Sequence, residues 1–503
     1  MLNIIKGLYH ECSCMIKVKG QMFAGFPMEN GVKQGCPLSP LLFVLAADFL
    51  LRKLHRHFPE CTMAAFADDT AMVLTNLWRL APPVLKIYRD FGQFSNLQLN
   101  IDKTEIVPLW PCHVSQLRRI IKDDMPEWAM AVVDTSATYL GVQVGPGRVG
   151  KEWTKALRKY EDRIQAWSGT SPGLLLTIQA YNTFILPVFS FLWQFFNPPN
   201  TLYKAEQLGL FRLTPGPGFW CTVGDLHHLD SLISFPVVFK DIRTSAWAAK
   251  LRLAHQVFAQ NLTPLVEDFQ HDLQHLPPHL DSWRKWYDSS IVWALQSAVM
   301  DANNLGIRAE TIGDHPLHGS NTKSLQYILQ DKIRSHHSIK MNTHNRIRHK
   351  MERWRLQVPP RILADRVTLR MKKVGKLVPP RVVSALWRTL WNGWCTSARF
   401  QRESRCIFGC GRFALDRIEH YAHCPFTLWT ITNMGGLHYT PSVQTFLCMD
   451  PGLDEERLTK HAVLCYCIYK VYNLFRNTNQ QEIKTIREAL EHVWKETWCQ
   501  CKR

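Results

Sequence analysis

The sequence predicts a mixed α+β domain followed by a long, mostly helical region, and three observations lead to that expectation. Within residues 1–110, short β-type runs alternate with amphipathic helical stretches, the pattern of an α+β domain. Beyond Gly145–Gly147 the apolar spacing turns helical, over about 153–203 and 241–260, with interruptions rich in Pro and Gly at 168–173, 214–218 and 276–278. Near the C-terminus, cysteine and histidine gather at metal-ligand spacing. With 503 residues, 46% of them apolar, the chain has enough core-forming side chains for two to four domains.

The elements follow in order. Ser39 and Pro40 read as an N-cap and a first-turn proline opening a helix over Leu41–Leu54. The runs 62–67 and 70–75 flank Asp68 and Asp69, which predicts a β-hairpin with acids at its turn. A helix starts from Pro82, with Val84, Ile87, Tyr88, Phe91 and Phe94 on its apolar side. Alternation of Leu97, Leu99 and Ile101 predicts a strand, and residues 138–144 predict another. Residues 164–203 carry no charge, but Gln179, Asn182, Pro187 and Gln194 break the run below the roughly 20 apolar residues of a membrane span, so a buried core helix is expected. The tail from Asp454 to Trp498 reads as helices with a polar break at 477–481.

Charge narrows the function. The chain is +18 overall, and residues 331–381 hold fifteen Lys or Arg against three acids, a local excess of +12. Such a surface favours a polyanionic partner, because binding phosphates releases condensed counterions. Two VPPR sequences, at 358–361 and 378–381, bracket its second half and stiffen the backbone locally. Trp387, Trp391 and Trp394 follow at helical spacing, which suits a buried face and equally suits base stacking. Fifteen scattered cysteines do not form a disulfide scaffold, and the N-terminus lacks a secretory signal, so a reducing, intracellular location is expected.

The chemistry-bearing residues come in a fixed order. GVKQGCPLSP (31–40) precedes FADD (66–69), then LQLNIDKTE (97–105), then YLGV (139–142). Adjacent carboxylates at a tight turn, Asp68 and Asp69, can hold Mg²⁺, a hard cation that prefers oxygen ligands. Alone, such a pair is an ordinary solvated turn. These four blocks in this order resemble the palm of non-LTR (LINE-type) retroelement reverse transcriptases. The resemblance implies that Asp68 and Asp69 are catalytic metal ligands and that Gln34 and Gly35 line the incoming nucleotide. It also implies that Lys103 lies near the triphosphate and that Tyr139 supports the primer end. A solvated Lys103 and a packed strand Tyr139 remain open alternatives. RNA template and DNA primer or target are the implied partners, with no membrane, and the resemblance allows a nuclear location. Oligomeric state is not legible. A group II intron maturase fits the CPLSP wording less well.

The second constellation is CIFGC (406–410) followed by DRIEHYAHCP (416–425). It spaces Cys406, Cys410, His420 and Cys424 as ligands for a tetrahedral structural Zn²⁺, with His423 competing for the histidine position. The order resembles the zinc-binding module that follows the polymerase in several LINE-type elements.

The implied layout is a partial palm at 1–150, a helical thumb at 151–260, a helical connector at 261–345, and a basic C-terminal region at 346–503 with the zinc module at about 395–430. In the resembled family a further catalytic aspartate precedes the QG block. Residues 1–30 contain none, and Asp48 falls inside a helix. The expectation is therefore a truncated RNA-directed DNA polymerase, inactive alone. The alternative is a non-catalytic nucleic-acid-binding remnant that uses the basic segment and the zinc module.

Overall fold

The computed structural model describes residues 2–28, 31–33, 35–257, 262–275, 290–307, 325–338, 342–411, 414–438, 440–476 and 483–501. The chain forms two compact units, 1–149 and 150–503. Helices dominate, and the strands form only two-stranded sheets, so the architecture is mixed α+β.

In the first unit, α1 (Leu2–Tyr9) leads into the antiparallel hairpin β1–β2 (Ser13–Val18, Gln21–Pro27). Then follow α2 (Ser39–His57), the hairpin β3–β4 (Thr62–Phe66, Asp69–Val73) and α3 (Leu77–Ser95). The spine is α3, whose 3.6-residue period splits its apolar positions between two cores. Leu80, Val84 and Ile87 pack with Leu50, Leu54 and Phe58. Ala81 and Leu85 face Leu117 and Ile121 of α4 (Val114–Asp124) and Val133. By contrast α2 turns Leu41, Val44, Leu45 and Phe49 outward, Phe49 being 77% exposed, an uncovered apolar stripe of the kind that marks an interaction face.

Four local expectations are corrected. Ser39 is the first helical residue and not the cap, which is Leu38. Its hydroxyl donates to the Lys33 carbonyl at 2.5 Å and meets the Tyr9 hydroxyl at 2.9 Å. Helix α3 begins at Leu77, not Pro82, because the Asn76 side chain accepts from the Arg79 N–H and starts the helix early, leaving Pro82 and Pro83 inside it. Residues 97–101 form no strand. Asn96 ends α3 in a left-handed conformation, no neighbouring strand pairs with the segment, and Ile101–Lys103 closes as a 3₁₀ turn. Residues 138–144 form part of a hairpin, β5 (Ala137–Tyr139) and β6 (Val142–Val144), because Leu140 and Gly141 both take positive φ, 48° and 81°. That pair of values is what a two-residue hairpin turn needs.

The second unit opens with helices Thr154–Ser168 and Leu174–Ala180, and then breaks into a π turn (181–185) and 3₁₀ turns (186–189, 192–194). The uncharged run is thus segmented and only partly buried, with Tyr181, Ile185 and Phe189 fully enclosed while Leu176, Phe184 and Phe191 are exposed. No helix among the described residues is long and apolar enough to cross a membrane. Helices Ile242–Val257, Ile291–Asn304 and Leu325–Ser338 share one core through Ala248, Ala298, Leu329 and Ile333. Each VPPR sequence opens a helix, Pro360–Leu377 and Pro380–Leu390, with its second proline at the first helical position, where the missing N–H has no partner to lose. Helices Glu455–Phe475 and Ile483–Trp498 close the chain. The polar break 477–481 lies outside the described residues, as do 276–278.

One buried acid makes this unit sensitive to pH. Glu206 accepts the Ile242 N–H at 2.8 Å, and burial, reinforced by Asp241, pushes its carboxyl up to about 8. Nearby His227 donates from Nδ1 to the Phe239 carbonyl, and burial pushes its imidazole down. A raised carboxyl binds its proton more tightly folded than unfolded, so its contribution to stability is full at low pH and is lost as pH rises towards 8. Above pH 6.5 His227 is neutral whether folded or not, and Glu206 dominates that window. Glu206→Gln should therefore flatten the fall in unfolding free energy between pH 6.5 and 8, leaving the variant more stable at pH 8 by roughly a few kcal/mol, as read from urea titrations at several pH values.

Candidate functional site

The acidic pair sits where the β3–β4 hairpin reverses. Phe66 pairs with Asp69, so Ala67 and Asp68 make a two-residue turn, with Ala67 at φ 52°. Asp68 is in the turn and Asp69 is the first residue of β4, and both are exposed. Adjacent positions on an extended chain point to opposite faces, and the turn relaxes this, leaving both carboxylates open to solvent. Among the described residues, no third His, Cys, Asp or Glu joins them within ligand distance. Asp48 instead pairs with Arg52 at 2.6 Å.

The other block residues lie on loops and turns. Gln34 is outside the described residues, and Gly35 follows with φ 85° and open space on its Cβ side. The loop is held at Lys33, whose ammonium donates to the Leu8 carbonyl at 2.6 Å. Lys103 ends the 3₁₀ turn that Asn100 caps through the Lys103 N–H, and its side chain is exposed. Tyr139 is half-buried opposite Val142. The third block reaches the residue just before the fourth, because the Glu105 carboxylate accepts the Thr138 N–H at 2.9 Å.

In the second unit, Cys406, Cys410, His420 and Cys424 bring their ligand atoms within 4.8 Å of one another. A tetrahedral zinc with Zn–S near 2.3 Å spaces its sulfurs by about 3.8 Å, so this donor set fits with little movement. Cys406 begins a tight turn in which the Gly409 N–H bonds the Cys406 carbonyl at 2.9 Å. His420 rides on the short helix Ile418–Tyr421, with Nε2 at 3.5 Å from the Cys410 sulfur. Cys424 caps the helix Pro425–Asn433. The Cys424 thiol donates to Cys406 and holds that thiol low, while the same hydrogen bond and burial push Cys424 up. One proton shared between two sulfurs is a site that a cation would neutralise. His423 is not part of the cluster.

The residue that seats this module was not legible in the sequence. Asp416 is buried and accepts the Tyr421 hydroxyl at 2.8 Å, the Tyr472 hydroxyl at 3.2 Å and the Ser397 N–H at 2.7 Å. It thereby ties the cluster to helix 455–475. Trp394 stands behind it, with Tyr421, Tyr469 and Tyr472 rings 5.1–5.6 Å away. Trp387, Trp391 and Trp394 are all buried, which decides for core and against base stacking.

Much of the +12 segment is also structural. Arg346 grips Asp225 through Nε at 2.8 Å and a second nitrogen at 2.6 Å. Lys350 donates to the Trp220 carbonyl, and Arg370 to the carbonyls of Asp450, Pro451 and Leu453. Arg355, Arg361, Lys372 and Lys376 remain exposed.

Comparison with known proteins fits this division. Residues 2–144 match the family model described as reverse transcriptase (RNA-dependent DNA polymerase). A stretch of 179 residues is 25% identical to the Transposon TX1 uncharacterized 149 kDa protein of Xenopus laevis, covering 33% of this chain and 13% of that protein. Residues 2–144 of this chain are therefore a reverse-transcriptase region, as the four ordered blocks around Asp68 and Asp69 imply.

Proposed function

We propose that the first unit is the palm of an RNA-directed DNA polymerase from a non-LTR retroelement, and that the second unit is its thumb, connector and zinc-bearing nucleic-acid-binding region. The observation that carries this reading is the exposed Asp68–Asp69 turn inside the matched residues 2–144. When bound between such carboxylates, Mg²⁺ supplies Lewis-acid stabilisation of the attacking and leaving oxygens. The protein's own groups do the rest: Asp68 and Asp69 offer the oxygen ligands, and Gln34 with Gly35 lets backbone approach the nucleotide. Lys103 offers a cation to the triphosphate, and Tyr139 supports the primer end. Cys406, Cys410, His420 and Cys424 hold Zn²⁺ as a structural ion that fixes the module's fold and takes no part in catalysis.

A second reading, binding without catalysis, is favoured by the absence of a third carboxylate beside Asp68 and Asp69 among the described residues. Loss of one metal-clamping group costs several kcal/mol of transition-state stabilisation by order of magnitude. We therefore expect the 503-residue chain to bind primer-template in a salt-sensitive manner yet extend an RNA-templated DNA primer no faster than its Asp68→Ala variant. Mg²⁺-dependent extension that disappears in Asp68→Ala would overturn the inactivity and leave the palm assignment standing.

Metal analysis tests the second unit separately. Chain purified without chelator should carry one zinc, and His420→Ala should lose it while His423→Ala retains it. Chelation should lower the melting temperature, because metal binding at such a site is folding free energy. Equal zinc content in the two histidine variants would contradict the ligand set.

A further inference from the structure

The loop 214–221, TPGPGFWC, presents two adjacent aromatics in opposite ways. Trp220 is buried, packed against Trp387 at 4.7 Å and under the Arg388 guanidinium at 4.5 Å. A Cβ on Gly393 would fall 2.6 Å from its ring, so the fit leaves no slack. Phe219 is 97% exposed, the most exposed large apolar side chain among the described residues, and it sits at φ 59°. Left-handed backbone disfavours any residue with a Cβ, and an aromatic ring in water adds nothing to the fold. Glycine would hold the same turn more easily.

The loop is held stiffly by cations. Arg388 donates to the Pro215 carbonyl at 2.7 Å, Arg399 to the Gly218 carbonyl at 2.8 Å, and Lys350 to the Trp220 carbonyl at 2.7 Å. The backbone that carries Phe219 is thus fixed on both sides. Arg399 is followed by Phe400, 51% exposed, and by exposed Arg402. Arg353 and Arg417 add to the same positive field, since Arg353 is lowered first by burial and further by Arg399 and Arg417. Glu419, 3.3 Å from Arg353, is the acid that forms an ion pair with this group among the described residues. An exposed apolar ring on a loop whose carbonyls are held by Arg388 and Arg399 does not match an apolar protein surface. It does match unpaired bases, whose faces stack on aromatics while their phosphates meet arginine.

We propose that Phe219, with Arg399, Phe400 and Arg402, forms a contact surface for single-stranded nucleic acid, the Phe219 ring stacking on an unpaired base and the arginines taking flanking phosphates. The proposal rests on the nucleic-acid-binding reading of the second unit and is independent of polymerase activity.

Fluorescence anisotropy of the full chain with an unstructured 20-nucleotide RNA, the same sequence as DNA, and a blunt duplex provides the test. Phe219→Gly should weaken single-strand binding by about tenfold at every salt concentration, leave the slope of log K against log salt unchanged, and spare the duplex. Phe219→Trp should bind as well as the parent. Arg402→Ala should lower the single-strand slope by about 0.7. The melting temperature of Phe219→Gly should equal or exceed that of the parent, which separates lost contact from lost fold. RNA and DNA arms distinguish the preferred strand. If the parent binds and Phe219→Gly binds equally, the Phe219 contact is wrong and the wider reading survives. If the parent binds none of the three, both fall.

Discussion

The second unit depends on one buried ion pair. Asp225, with no exposed side-chain surface, is gripped at both oxygens by Arg346, 121 residues later in the chain. Removing a carboxylate from water costs several kcal/mol, by order of magnitude, unless charge and hydrogen bonds replace the solvent. Here the guanidinium supplies the charge, and the capping box with Thr222 supplies an N–H at 2.9 Å. The pair lies next to Trp220, which takes a hydrogen bond from Lys350 and packs on Trp387. One latch thus brings the helices after residue 150, the basic helix Thr343–Glu352 and the C-terminal core into register.

The latch changes the meaning of the net charge. A +12 segment suggests a continuous phosphate-binding strip, yet Arg346, Lys350 and Arg370 spend their donors inside the protein. Burial, with Arg346 close by, even pushes the Lys350 ammonium down to about 8. The cations left outward include Arg361, Lys372 and Lys376 on helix Pro360–Leu377, and these suit the non-specific electrostatic term. Phe219 and its arginine neighbours suit the shape-dependent term. In the first unit the acidic turn presents two exposed carboxylates, and the outward stripe of α2 and the rings of Phe23 and Phe26 on β2 are exposed apolar surface.

What was legible in the sequence was what local chemistry dictates. The hairpin at Asp68 and Asp69 follows from two short apolar runs around a turn, and the Cys and His positions follow from ligand spacing. Trp387 is buried on helix Pro380–Leu390, whereas Trp391 and Trp394 are buried beyond its end, where helical period does not account for them. Errors arose where a side chain redirected the backbone: Asn76 starts α3 early, Asn96 ends it left-handed, and Leu140 accepts positive φ. The strand expected at 97–101 had the right alternation, and it lacks a pairing edge. Asp225 and Asp416 were invisible, because an acid that will be buried reads like any surface acid until its distant donors, Arg346, Tyr421 and Tyr472, are known. Phe219 lies in a Pro- and Gly-rich stretch that by sequence reads only as an interruption of the helical pattern.

The claim that one latch organises the second unit is tested most directly by hydrogen–deuterium exchange on Arg346→Met beside the parent chain. Breaking a buried pair by removing one partner costs about 3–5 kcal/mol. Amides in 214–227, 343–352 and 387–394 should therefore lose protection together, although the hydrogen bonds of Asp225 run to Arg346 and Thr222 and not to the last segment. Loss confined to the helix carrying residue 346, with 214–221 as protected as in the parent, would contradict the account.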